Sequence, residues 1–141
     1  MDHGVVRGTL STLAIQTLIN AAAERARALE VRVHIAVMDA SADLVGWLSF
    51  EGTPRIAATT ARHKAFTSVN TGMSTAEWKA YVNSIPRDEQ RIIAGIEGYI
   101  EAAGGLPIIE EGLLLGGIGV SGADQQADED CALSAVRALG V

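Results

Sequence analysis

The chain has 141 residues, 48% hydrophobic and 20% charged, and its 17 Asp and Glu against 11 Lys and Arg give a net charge of −6. This composition reads as one folded domain over residues 1–141 and excludes a disordered chain. The acidic balance, with no block rich in Lys or Arg, argues against nucleic acid or an anionic membrane as a partner, since both need clustered positive charge.

Leu10, Leu13, Ala14, Leu18, Ala21 and Ala22 recur at three- and four-residue intervals, which predicts an amphipathic helix over residues 10–29. Val31, Val33, Ile35 and Val37 then alternate with other residues in the period of two that gives a strand its two faces. Asp39-Ala40-Ser41-Ala42-Asp43 supplies a turn and Leu44–Phe50 a second strand, so the pair reads as a hairpin. Gly52-Thr53-Pro54 punctuates the chain before a helix from Arg55 to Val69. Ser74-Thr75-Ala76-Glu77 has the form of a capping box for a short helix through Tyr81, and Pro86 opens another helical segment to about Ile93. Residues 94–103 suit strand and helix equally.

Leu106–Ile109 and Leu113–Val120 flank the turn-like Glu110-Glu111-Gly112 and form a second expected hairpin. Gly116, Gly117 and Gly119 in its second strand call for the close approach of a backbone, a helix or a ligand. Asp124–Ala138 closes the chain as a helix. The order is α-β-β-α-α-β-β-α with room for one more strand, an α+β arrangement in which an antiparallel sheet carries helices on its faces.

Several chemistries drop out. No lysine follows residue 79, so the glycine-rich strand is no ATP-binding phosphate loop, and Gly117-Ile118-Gly119-Val120-Ser121-Gly122 lacks the βαβ unit of a dinucleotide site. No histidine follows residue 63, which removes a hydrolase triad around Ser121. His3, His34 and His63 lack the spacing of a helical zinc pair, and Asp124, Asp128 and Asp130 lack the glycine and terminal glutamate of a calcium loop. The longest apolar run, Gly112–Val120, is far below the roughly 20 residues of a membrane helix. The first ten residues show no secretory pattern, so the expected location is cytoplasmic. Cys131 reads as a small core residue, and His34 as a hydrogen-bonded side chain beneath a helix. His63 suits a solvated face or a ligand site; Arg55 and Lys64 suit a carboxylate ligand; Trp47 reads as a core anchor.

Taken together, the motifs resemble the GlcG/HbpS family, the haem-binding or haem-degrading group that includes the C-terminal domain of PduO. The resemblance covers residues 10–140. It rests on Ile35-Ala36-Val37-Met38-Asp39 with Leu44-Val45, on Ala61-Arg62-His63-Lys64-Ala65-Phe66, on Gly104-Gly105-Leu106-Pro107-Ile108, and on Gly116-Gly117-Ile118-Gly119-Val120-Ser121-Gly122 followed by Asp128-Glu129-Asp130-Cys131-Ala132. It implies a profilin-like α/β sandwich, a homo-oligomer that is often an octamer, and a small-molecule site between the lysine-bearing helix and the glycine-rich strand. Haem or a corrinoid-related ligand is the implied occupant. The sequence departs from the family at Ser49-Phe50-Glu51-Gly52-Thr53, where an Arg-Met-Asp-Gly-Ala-like stretch is usual, and its Asn70–Gln90 stretch has the charge and aromatic content of a ligand-specific wall or lid.

Two functional readings follow. In the first, the protein is a small-molecule-binding module for haem or a related tetrapyrrole, with no other cofactor. His63 is then the axial donor to the iron, and Arg55, Arg62, Lys64, Gly119 and Ser121 are ligand contacts. In the second, it is a cofactor-free catabolic enzyme acting on a small organic acid. Asp39, His63 or Glu89 then serves as the base, and Arg55, Arg62 or Lys64 holds the anion. A purely structural oligomer ranks third.

Overall fold

A computed structural model describes residues 2–141 of the protein. Helix α1 (Thr12–Ala28) starts where Ser11 Oγ accepts the free amide of Ala14 at 3.1 Å. The hairpin strands β1 (His34–Asp39) and β2 (Leu44–Ser49) follow, then α2 (Ile56–Thr71), which ends at Gly72 in the left-handed conformation. Helices α3 (Thr75–Ser84) and α4 (Arg87–Ala94) lead to the second hairpin, β3 (Gly105–Glu110) and β4 (Leu113–Ser121), and α5 (Gln125–Ala138) completes the chain. The predicted capping box is present, with Ser74 and Glu77 each bonding the other's backbone amide.

The strands form one antiparallel sheet in the order β2-β1-β4-β3. Helices α1 and α5 cover one face and α2 the other, so the expected α+β sandwich is the fold observed. On the α1/α5 face Ile35 and Val37 of β1 and Ile118 and Val120 of β4 pack with Leu18, Ala22, Ala26, Cys131 and Ala135. On the α2 face Ala36 and Met38 meet Ala61, Ala65 and Val69. Each fully buried aliphatic side chain contributes about 2 kcal/mol.

Four local expectations change. Strand β1 starts at His34 rather than Val31, and it is buried on both faces because α1 and α5 cover one side of it and α2 the other. The buried stripe of α1 runs through Leu18, Ala22, Ala23 and Ala26, leaving Leu13 72% exposed. The two short central segments are separate helices, so three helices rather than two lie between the hairpins. Residues 95–104 are irregular, and no additional strand occurs among the described residues.

Candidate functional site

Helix α2 lies so close to the sheet because β4 presents Gly117 and Gly119, which carry no side chains, beneath it. A Cβ at Gly119 would collide with the Ala61 carbonyl oxygen and the Ala65 amide, and one at Gly117 would meet Val69. The close partner expected from the glycines is therefore the backbone of a helix. With Ala61, Lys64, Ala65 and Ser68 turned to the interior, Thr59, Arg62, His63 and Phe66 line one outer flank of α2.

That flank borders a cavity of about 410 Å³. Met38 and Phe66 supply its apolar lining, and Arg62 and His63 face it together with Glu97. Gly98 adopts φ +100° above the Phe66 ring, where a Cβ would come within 2.9 Å of that ring, so this wall needs a glycine. A second cavity of about 260 Å³, lined by Trp47, Arg55, Ala58 and Leu44, shares Thr59 and Arg62 with the first. The two form one groove. His63 is half-buried and, among the described residues, has no hydrogen-bond or ion-pair partner, and Arg55 and Arg62 pair with no carboxylate among them. Two guanidinium groups thus border one groove of an acidic protein, an arrangement suited to a carboxylate ligand.

Trp47 packs, partly buried, against the core cluster on the α2 face, and its ring also walls the groove. Its indole N–H donates to Ser49 Oγ at 2.8 Å, and its ring stacks on His34 at 5.6 Å between centroids. His34 is buried, with Nδ1 2.7 Å from Ser49 Oγ and Nε2 donating to the Pro54 carbonyl at 3.1 Å. It is the hydrogen-bonded interior histidine that the sequence suggested.

The remaining candidates are engaged elsewhere. Lys64 is buried, donating to Asp128 Oδ2 at 3.0 Å and to the Val120 carbonyl at 2.9 Å. Burial pushes its ammonium below the ordinary lysine range and pushes the Asp128 carboxyl up, against their mutual attraction. Gly119 lies beneath α2, and the buried Ser121 hydroxyl is bonded to that of Thr60. Lys64, Gly119 and Ser121 thus build the joint between helix and sheet, and their groups are spent there. Asp39 accepts the Ser41 and Asp43 amides at 2.9 and 3.0 Å, which fixes the β1–β2 turn. Glu89 is exposed on α4. Of Asp39, His63 and Glu89, only His63 lines the groove.

Sequence reasoning missed Met38 and Phe66 as groove walls and Asp128 as the partner of Lys64. The helical spacing of Arg62, His63 and Phe66 could have shown the outer flank; nothing local signals Asp128. Asp124 caps α5 by accepting the Ala127 amide at 2.8 Å, and Asp130 pairs with Arg25 at 2.9 Å, so the three aspartates have three separate structural tasks. No group of three or more His, Cys, Asp and Glu able to hold a metal ion occurs among the described residues.

Residues 10–137 match the family described as haem degrading protein HbpS-like. Corrinoid adenosyltransferase PduO of Citrobacter freundii is 30% identical over 138 residues, covering 94% of this chain and 40% of that protein. The chain spans about two fifths of the length of the curated relatives it matches. Among solved structures, a PduOC:heme complex superposes with a TM-score of 0.84 and 27% identity, covering 92% of this chain and 94% of the other. A double mutant of Streptomyces reticuli HbpS superposes with a TM-score of 0.88 and 27% identity, covering 100% and 94%. No helix among the described residues is long and apolar enough to cross a membrane.

Proposed function

The chain belongs to the HbpS-like family, and on that premise we propose that it is a small-molecule-binding module whose ligand is haem or a related tetrapyrrole, held in the α2 groove. The observation that carries this reading is the His63 imidazole, without a partner among the described residues, facing a cavity walled by Met38 and Phe66, with Arg62, likewise unpaired among them, on its rim. A tetrapyrrole needs those three kinds of group: an imidazole for the iron, apolar surface for the ring and cations for its carboxylates. His63 is the axial donor in this reading. Arg62 and Arg55 hold the carboxylates, and Trp47 offers a flat wall beside them. The bound iron would supply redox and ligand-exchange chemistry; the chain's own residues bind the ring, orient it and neutralise its charge.

Self-association, up to the octamer implied by the family resemblance, belongs to the same reading. Its support is the apolar surface that one chain leaves open, with Val5, Val6 and Leu13 each more than 70% exposed. A cytoplasmic setting is also part of it, and Cys131, a free thiol kept in the core, is compatible with a reducing compartment.

Titration with haem tests the binding reading by its visible absorption. A saturable one-to-one change is expected, with binding about tenfold weaker in an Arg55→Ala/Arg62→Ala protein. Haem dimethyl ester, which has no free carboxylates, should bind the wild type and the double variant alike. A nonspecific, unsaturable response to haem contradicts the proposal.

A further inference from the structure

A cavity of about 370 Å³ lies on the other side of the Phe66–Tyr99 contact, between α3, α4 and the segment leading to β3. Phe66 lines the α2 groove while Tyr99, edge-on to it at 5.4 Å, lines this second cavity, so the two rings form a partition. The lining is aromatic and aliphatic: Trp78 lies between Tyr81 and Tyr99 at 5.6 Å from each, with Met73, Ile93 and Ile96 around them. Asn70 and Thr71 add polar groups, and no charged side chain contributes. The α2 groove, by contrast, presents Arg62, His63 and Glu97.

Two further observations bear on what enters. Trp78 is only 9% exposed, and its indole N–H is one of two buried side-chain polar atoms that lack a hydrogen-bond partner among the described residues. That N–H is sealed from the cavity, so a ligand meets the carbon surface of the ring rather than its donor. At the mouth, Ile96 is 50% and Tyr81 45% exposed, so apolar surface stays open to water there. The volume suits one small ring system, and an uncharged aromatic lining selects a neutral flat one.

We propose that this cavity is a second binding site, for a neutral planar aromatic molecule. The stretch from Asn70 to Gln90, which the sequence marks as aromatic and charged, supplies one wall through Trp78 and Tyr81. The site stands independently of the α2 groove.

Calorimetric titration of the whole chain with coumarin, a neutral flat ring, tests it against coumarin-3-carboxylate, its anionic counterpart. Coumarin should bind one-to-one and more tightly than the carboxylate, with affinity reduced about tenfold by Ile96→Glu, which brings a charge to the apolar mouth. Ile96 is half-exposed, so that variant should keep its fold, which a thermal melt checks. His63→Ala should leave coumarin binding unchanged, and Tyr81→Ala, which removes one half-exposed ring of the lining, should weaken it. Absence of saturable coumarin binding overturns the proposal. So does an affinity indifferent to Ile96→Glu or to Tyr81→Ala, equal or tighter binding of the carboxylate, or loss of coumarin binding in His63→Ala, which moves that ligand into the α2 groove.

Discussion

Lys64 Nζ sits 3.0 Å from Asp128 Oδ2, with both side chains only 3% exposed, so a single ion pair joins α2 to α5, helices from opposite faces of the sheet. Asp128 Oδ1 also accepts the Ala123 amide at 3.0 Å, and Lys64 reaches the Val120 carbonyl, which ties the end of β4 into the same joint. Removing one partner strands a buried charge. Lys64→Met or Asp128→Leu should therefore cost about 3–5 kcal/mol, while Lys64→Met/Asp128→Leu, which removes both charges, should cost less than the sum. Urea unfolding of the four proteins measures this, and additive losses contradict the coupling.

Gly119→Ala forces a methyl group into the Ala61 carbonyl and the Ala65 amide. The backbone of α2 cannot rotate out of the way as a side chain could, so destabilisation of about 3 kcal/mol is expected, toward the upper end for overpacking. A thermal melt unchanged by this substitution contradicts the packing described.

Asp130 titrates in a predictable direction. Its hydrogen bonds to Arg25 hold its carboxyl below the usual range, so the native state binds the proton less readily than the unfolded chain. The resulting stabilisation is fully present above the unfolded carboxylate pKa of about 3.9 and is lost as pH falls through the lower folded value. Wild type and Asp130→Asn should differ in urea midpoint at pH 7 and converge in strong acid. Both side chains are about two-fifths exposed, so added salt should also shrink the gap.

Cys131 is fully buried, and burial pushes its thiol up to about 11. Little thiolate is present near neutrality, and reagent has no access to it. A colorimetric thiol reagent should leave the native protein unlabelled at pH 8 and react with one equivalent after denaturation; rapid native labelling contradicts the burial.

The parts of the fold set by neighbouring residues were legible in the chain. Alternation marked β1, Ser74 and Glu77 declared a capping box, and Glu110-Glu111-Gly112 marked a hairpin turn. Long-range choices were not. Arg62, His63 and Lys64 are consecutive, and each step turns about 100° around a helix, so the sequence alone does not say which one enters the interior. The answer lies 64 residues further on, at Asp128. Likewise the glycines of β4 announced a close approach without saying whose, and α2 fills the space at Gly117 and Gly119 where a ligand was also conceivable. The groove is partly legible: Arg55, Arg62 and His63 carry its chemistry and Phe66 follows Arg62 and His63 at helical spacing, whereas Met38 and Glu97 join them only through tertiary packing.

The most direct test of the central claim is a visible-absorption titration of the apo-protein with haem, run beside a His63→Ala protein whose thermal melt matches the wild type. The account predicts a saturable one-to-one band in the wild type that shifts in position and weakens when the imidazole is removed. An identical band and affinity in the two proteins would contradict it and take His63 out of the site.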